Sequence, residues 1–145
     1  MKTLTFETTI HAARTVVWAT MLGPEGYRAW TAAFCEGSYY TGSWEQGAKI
    51  QFRAPSGDGM TAVIAENRPH EFVSIRHLGV IENGVEDTTS DKARAWTPAY
   101  ENYDFADVPG GCRVTVTLDT PEAYEQYMLE TYPKALALLK ELCER

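Results

Sequence analysis

Histidines, cysteines and acidic side chains are the groups in this chain with chemistry to offer, and their spacing narrows what that chemistry is. His11, His70 and His77 form no H-x-x-x-H pair, and Cys35, Cys112 and Cys143 form no C-x-x-C. Those are the spacings that bring two ligands onto one metal ion from a single helix or turn, so no metal site is expected. Gly57, Gly59, Gly110 and Gly111 are followed by no Gly-Lys-Ser/Thr, and Ser38, Ser43 and Ser56 sit in no G-x-S-x-G. Neither a phosphate loop nor a nucleophile elbow is present, and no motif implies a cofactor.

The strongest polar constellation depends on strand pairing. With Phe72–Leu78 and Tyr100–Asp107 antiparallel and their apolar faces aligned, Val73, Ile75 and His77 share one face, as do Glu101, Tyr103 and Phe105. Placing Ile75 opposite Tyr103 sets Val73 opposite Phe105 and His77 opposite Glu101. A carboxylate beside an imidazole favours the charged ring and orients it for proton transfer, which makes His77 and Glu101 the candidate catalytic residues. The plainer alternative is a structural cross-strand pair at the end of a sheet.

The elements that must position this pair follow from local pattern. Thr3 to His11 alternates, with Leu4, Phe6, Thr8 and Ile10 on one side, as in a strand with one wet face. Val17, Trp18, Met21 and Leu22 recur at helical spacing, predicting a helix from Ala13 to Leu22 that ends at Gly23. Pro24 suits the first turn of a second helix carrying Tyr27 and Trp30. Extended pieces follow, punctuated by Gly37, Gly42 and Gly47: Ala48–Ala54, Met60–Glu66, Phe72–Leu78, Tyr100–Asp107 and Cys112–Asp119, with turns at "PSGDG", "NRPH" and "VPGG". The last segment reads as a long helix, capped by Thr120, opened by Pro121 and kinked at Pro133. Its stripe runs through Tyr124, Met128, Ala135, Leu139 and Leu142, with Tyr132 and Leu136 alongside; Glu122, Glu125, Glu130, Glu141 and Glu144 mostly fall on its wet side.

Between two of the strands lies "GVIENGVEDTTSDKARAWTP", Gly79 to Pro98, longer than an ordinary connection. Asn83-Gly84 marks a turn, and Ser90 caps a brief helix reaching Trp96. The segment is either a flexible lid over a cavity mouth or an extended hairpin followed by a surface turn.

Composition bounds the partners. The chain has 145 residues, 44 % hydrophobic and 23 % charged, which suits a single folded domain spanning residues 1–145. A net charge of −7 argues against nucleic acid and against an anionic membrane surface, both of which need clustered Lys and Arg. No apolar run reaches a membrane span. Glu7, His11 and Arg14 interrupt the N-terminal stretch where a signal peptide would be apolar. Three widely spaced cysteines read as reduced thiols, so a cytoplasmic location is expected.

The order strand, two short helices, antiparallel strands, long helix, with the stretches "TVVWATMLGPEGYRAW", "GSYYTGSWEQGAKIQF", "AVIAENRPHEFVSIRHLG" and "YPKALALLKELCE", resembles the START/Bet v 1-like (SRPBCC) superfamily. Within it, the chain looks most like the family of the C-terminal domain of the co-chaperone that activates the heat-shock ATPase. The resemblance spans nearly the whole chain and implies an α+β helix-grip fold, a curved antiparallel sheet wrapped around the C-terminal helix. The superfamily includes lipid carriers, hormone receptors and cyclases, so the resemblance carries fold further than function.

Tyr27 to Trp44 holds six of the seventeen aromatic residues. Trp18 and Trp30 are expected in the plain core, and others of these rings to line a cleft. The function expected first is binding of a small, largely apolar molecule between sheet and helix, as carrier or sensor. Phe52, Ile75, Phe105, Tyr132 and Leu136 are the expected walls, and His77, Glu101 and Tyr103 the polar groups that fix orientation. A cyclase- or hydrolase-type enzyme using the same cavity is the second reading. A protein-interaction module, as a homodimer or a co-chaperone-like partner, is the third. An apolar cavity with one buried polar pair of shifted pKa favours catalysis, a wholly apolar one favours carriage, and a filled interior with a large exposed apolar patch favours partner binding.

Overall fold

In the computed structural model, which describes residues 1–145, the alternating N-terminal stretch forms β1 (Lys2–Ile10), with Leu4, Phe6 and Ile10 buried and Thr3, Thr5 and Glu7 in water. Two helices follow, α1 (Arg14–Leu22) and α2 (Pro24–Thr31), with Pro24 opening the second as its fixed φ allows. The junction is tight. The Trp30 indole N–H donates to the Met21 carbonyl at 3.0 Å, and the Tyr40 hydroxyl donates to the Leu22 carbonyl at 2.6 Å. A Cβ on Gly26 would lie 1.8 Å from the Thr20 carbonyl oxygen, so only glycine permits this approach.

Strands β2 (Tyr39–Gly42), β3 (Lys49–Arg53), β4 (Gly59–Arg68), β5 (Phe72–Glu82), β6 (Val85–Asp87), β7 (Ala99–Val108) and β8 (Gly111–Thr120) complete one antiparallel sheet of eight strands. Its order is β1-β8-β7-β5-β4-β3-β2, with β6 paired to the far end of β5. Register matches buried to buried along the β1–β8 pair: Leu4 faces Leu118, Phe6 faces Val116 and Ile10 faces Cys112. The β4–β5 ladder shifts register twice, at Thr61/Ala62 and Ile64/Glu66, and such irregularities bend a strand pair.

The chain ends in α4 (Glu125–Cys143), entered through a 3-10 turn at Glu122–Tyr124. It packs against β1, α2 and α1. Thr120 does not cap this helix. It is the last residue of β8, buried, and Pro121 precedes the 3-10 turn rather than opening the helix. The sheet ladder claims Thr120 up to its last pair, with Lys2. The helix runs on through Pro133, which has no N–H to offer the Leu129 carbonyl; Leu129 is exposed, so water can serve that group.

Segment 79–98 takes the hairpin form. Strand β5 runs four residues past its expected end and turns at Asn83–Gly84 into β6. Ser90 caps the short helix α3 (Asp91–Arg94), its hydroxyl accepting from the Ala93 N–H at 3.2 Å. A Cβ on Gly79 would lie 2.1 Å from the Asp87 carbonyl oxygen, so this glycine lets the chain leaving β6 rest on β5.

Candidate functional site

Between the sheet and the N-terminal half of α4 lies a cavity of about 380 Å³. Twenty residues line it, and nine of them are Phe, Tyr or Trp. Three come from α2 and the turn after it (Tyr27, Trp30 and Phe34), two from β3 and β7 (Phe52 and Tyr103), one from the turn after α3 (Trp96), and three from the C-terminal segment (Tyr124, Tyr127 and Tyr132). The rings brace one another. Tyr132 stacks on Phe6 at 5.1 Å between centroids and meets the edge of Phe34 at 5.0 Å, and Tyr27 meets Trp30 edge-on at 5.7 Å. Stiff rings held this way cannot fold inward to fill the space.

One carboxylate organises the polar part of the wall. Glu101 accepts on Oε1 from His77 Nε2 at 3.0 Å and on Oε2 from the Tyr103 hydroxyl at 3.0 Å. The Tyr132 hydroxyl, from α4, donates to the same Oε2. The His77 and Glu101 side chains are only 11 % and 20 % exposed. Burial alone would push the Glu101 carboxyl up; the hydrogen bond and charge of His77 and the two phenols together outweigh it and hold the carboxyl below its ordinary range. Tyr103 and Tyr132 are pushed well above the phenol range, first by burial and then by the negative charge of Glu101. His77 Nδ1 is buried and has no hydrogen-bond partner.

The expected pair therefore meets, by a different route. Ile75 faces Glu101, Val73 faces Tyr103 and His77 faces Ala99, two residues out of the expected register. Hydrogen bonding of Phe105 N–H to the Glu71 carbonyl carries the shifted register past the end of β5. A slip of two leaves every side chain on its face, so His77 and Glu101 remain on one side and touch as diagonal neighbours.

Of the expected site residues, Phe52, His77, Glu101, Tyr103 and Tyr132 line the cavity. Ile75, Phe105 and Leu136 do not; they are buried in the packed core. Phe105 meets Trp18 edge-on at 5.0 Å, away from the cavity wall. Trp30 is in the core as expected, yet one side of it also faces the cavity, whereas Trp18 is only partly buried against the core. Tyr39, Tyr40 and Trp44 do not reach the cavity. Sequence reasoning missed Ala99, Met60, Leu118 and Pro121 as lining residues. Tyr124 and Met128 were legible on the helical stripe with Tyr132, and Trp96 as a lone large residue in a polar segment. No group of His, Cys, Asp and Glu is placed to hold a metal ion. All three cysteines are free thiols, and no helix is long and apolar enough to cross a membrane.

No protein-family model matches the chain, and no curated protein matches it in sequence. Solved structures do. A protein of Chromobacterium violaceum superposes with a TM-score of 0.70 at 17 % identity, over 100 % of this chain and 99 % of that one. The Aha1 dimer of Colwellia psychrerythraea gives 0.73 at 16 % identity, over 99 % and 97 %. An AHSA1-like protein of Aeromonas hydrophila gives 0.64 at 16 % identity, over 97 % and 90 %. What this chain has in common with them is the architecture: it has the α+β helix-grip fold of the Aha1-type structures.

Proposed function

We propose that this protein binds a small, largely apolar molecule in the cavity between its sheet and α4, as a carrier or sensor. The observation that carries the reading is a hollow of about 380 Å³ walled mainly by rings, with one hydrogen-bonded carboxylate in the wall. That combination suits apolar contact for affinity and a few polar groups for orientation. Removing apolar surface from water supplies about 25 cal/mol per Å².

A polar cluster of shifted pKa is also the mark expected of an enzyme. Here the shifts run away from neutrality, the carboxyl downward and the phenols upward. Efficient proton transfer wants groups that titrate near the working pH, so Glu101 is a weak base and Tyr103 and Tyr132 are weak acids. The enzymatic reading rests on His77 alone, oriented by Glu101 and with Nδ1 unpartnered.

Native mass spectrometry of protein purified from its own source tests the first reading. The expected result is a co-purifying small molecule, retained by the wild type and lost from Ala99→Phe, which places a ring in the cavity from a buried wall position. Full retention by Ala99→Phe would move the binding site elsewhere, and a wild type that neither carries nor takes up any small molecule would end the reading.

A further inference from the structure

The charge of the cavity wall sets which apolar molecules suit it. Not one of its twenty lining residues is Lys or Arg. Glu101 is the carboxylate among its inward side chains, whereas the Asp119 carboxylate lies on the wet face of the sheet, accepting from the Thr3 hydroxyl at 2.8 Å and the Tyr100 N–H at 3.0 Å. With His77 neutral the inward wall carries one carboxylate and no cation, and with His77 protonated the two charges pair and cancel; in neither state is the wall positive. Glu101 is held ionised although mostly buried, by His77 first and then by the hydroxyls of Tyr132 and Tyr103. A buried carboxylate with no lysine or arginine beside it favours a cation brought close and disfavours an anion. The nine aromatic rings of the lining add to this, because the negative face of a ring attracts a cation within about 6 Å of its centroid.

We infer that the ligand is an organic cation, an aromatic or alicyclic amine protonated at neutral pH. Its ammonium group lies toward Glu101 and its apolar body among Trp30, Phe34, Phe52 and Trp96. This inference rests on the proposed cavity-binding function and narrows it. Fatty acids, other carboxylates and phosphate esters are disfavoured by the same wall, which offers them no guanidinium or ammonium and sets Glu101 against them. Neutral molecules of the same shape bind through apolar contact alone.

The test uses three probes of one shape: 2-(1-naphthyl)ethylamine, 2-(1-naphthyl)ethanol and 1-naphthylacetate. Binding to the full chain is followed by calorimetry and by chemical-shift changes at the indoles of Trp30 and Trp96. The amine is expected to bind about tenfold more tightly than the alcohol, and the acetate most weakly. In Glu101→Gln the amine-to-alcohol ratio falls toward one. A ratio needs only the folded fraction of each preparation, and Asp119→Asn, which neutralises a carboxylate on the outer face of the sheet, is expected to leave it unchanged. Alcohol binding as tight as amine binding in the wild type overturns the amine assignment and leaves the cavity reading standing. Binding of none of the three probes, with both indoles unmoved, overturns the two together.

Discussion

The two halves of α4 face different interiors. From Ala135 to Cys143 the helix buries Ala135, Leu136, Leu139 and Cys143 in the core cluster that also holds Ile10, Val17, Met21, Cys112 and Val114. From its first turn to Tyr132 it presents Tyr127, Met128 and Tyr132 to a hollow, joined by Tyr124 from the 3-10 turn before it. Branched aliphatic side chains interdigitate to crystal-like density. Rings whose hydroxyls are tied to a fixed carboxylate cannot slide into contact, because closing the gap would break hydrogen bonds to Glu101 in a place water hardly reaches. The hollow is maintained by polar anchoring of large residues, whereas the packed half is maintained by shape.

The sharpest way to break that contrast is Leu139→Ala. Leu139 is fully buried, and truncation there is expected to cost about 3 kcal/mol in urea unfolding. Met128→Ala, half-buried on the hollow half of the same helix, is expected to cost under about 1 kcal/mol. Equal losses would mean that the two halves are packed alike.

Glu101→Gln comes next, with an expected cost of about 2 kcal/mol, since it weakens three hydrogen bonds to a mostly buried charge. Its pH dependence has a definite sign. The folded carboxyl lies below its ordinary value of 4.5, so its stabilisation is fully present above about that pH. It is lost as pH falls through the folded value. The stability gap between wild type and Glu101→Gln is therefore expected to be constant near neutrality and to close in acid. A gap that widens in acid would place the carboxylate outside the fold's hydrogen-bond network.

Tyr132→Phe removes one donor to Glu101 and keeps the ring, and about 1 kcal/mol is expected. The same change raises the Glu101 carboxyl toward its ordinary value, measurable by carbon-13 NMR of the side chain. No movement of that carboxyl would mean that the Tyr132 hydroxyl does not anchor the wall.

Much of the fold was legible in the residues. Local pattern located β1, β5, β7 and β8 to within a few positions; β1, β7 and β8 each have a wetter and a drier face that alternation records, whereas β5 is buried on both faces along much of its length. Pro24 and Gly23 marked the α1–α2 break, and Ser90 marked α3. The end of β8 was misread, because a threonine before a proline looks like a helix start whether or not a ladder claims it. The close approach at Gly26 carried no local signal; a glycine needed for its missing Cβ looks like any other. The site was half legible. His77, Glu101 and Tyr103 were named from their faces, while Ile75 and Phe105 were placed in the wall although the structure packs them into the core.

Which side chains share a face follows from residue order alone, because backbone sterics fix the period of a strand and of a helix wherever they occur. Residue order therefore determined that His77, Glu101 and Tyr103 would lie on one side of one sheet. The register between β5 and β7 was set by packing across the whole fold, since a shift of two residues leaves every face unchanged and local energetics nearly so. Only that packing brought the Tyr132 hydroxyl, 31 positions along the chain, onto Glu101. The hollow itself belongs to the same class: it is the space left between a helix and a sheet, and no short stretch of chain encodes a distance between two others.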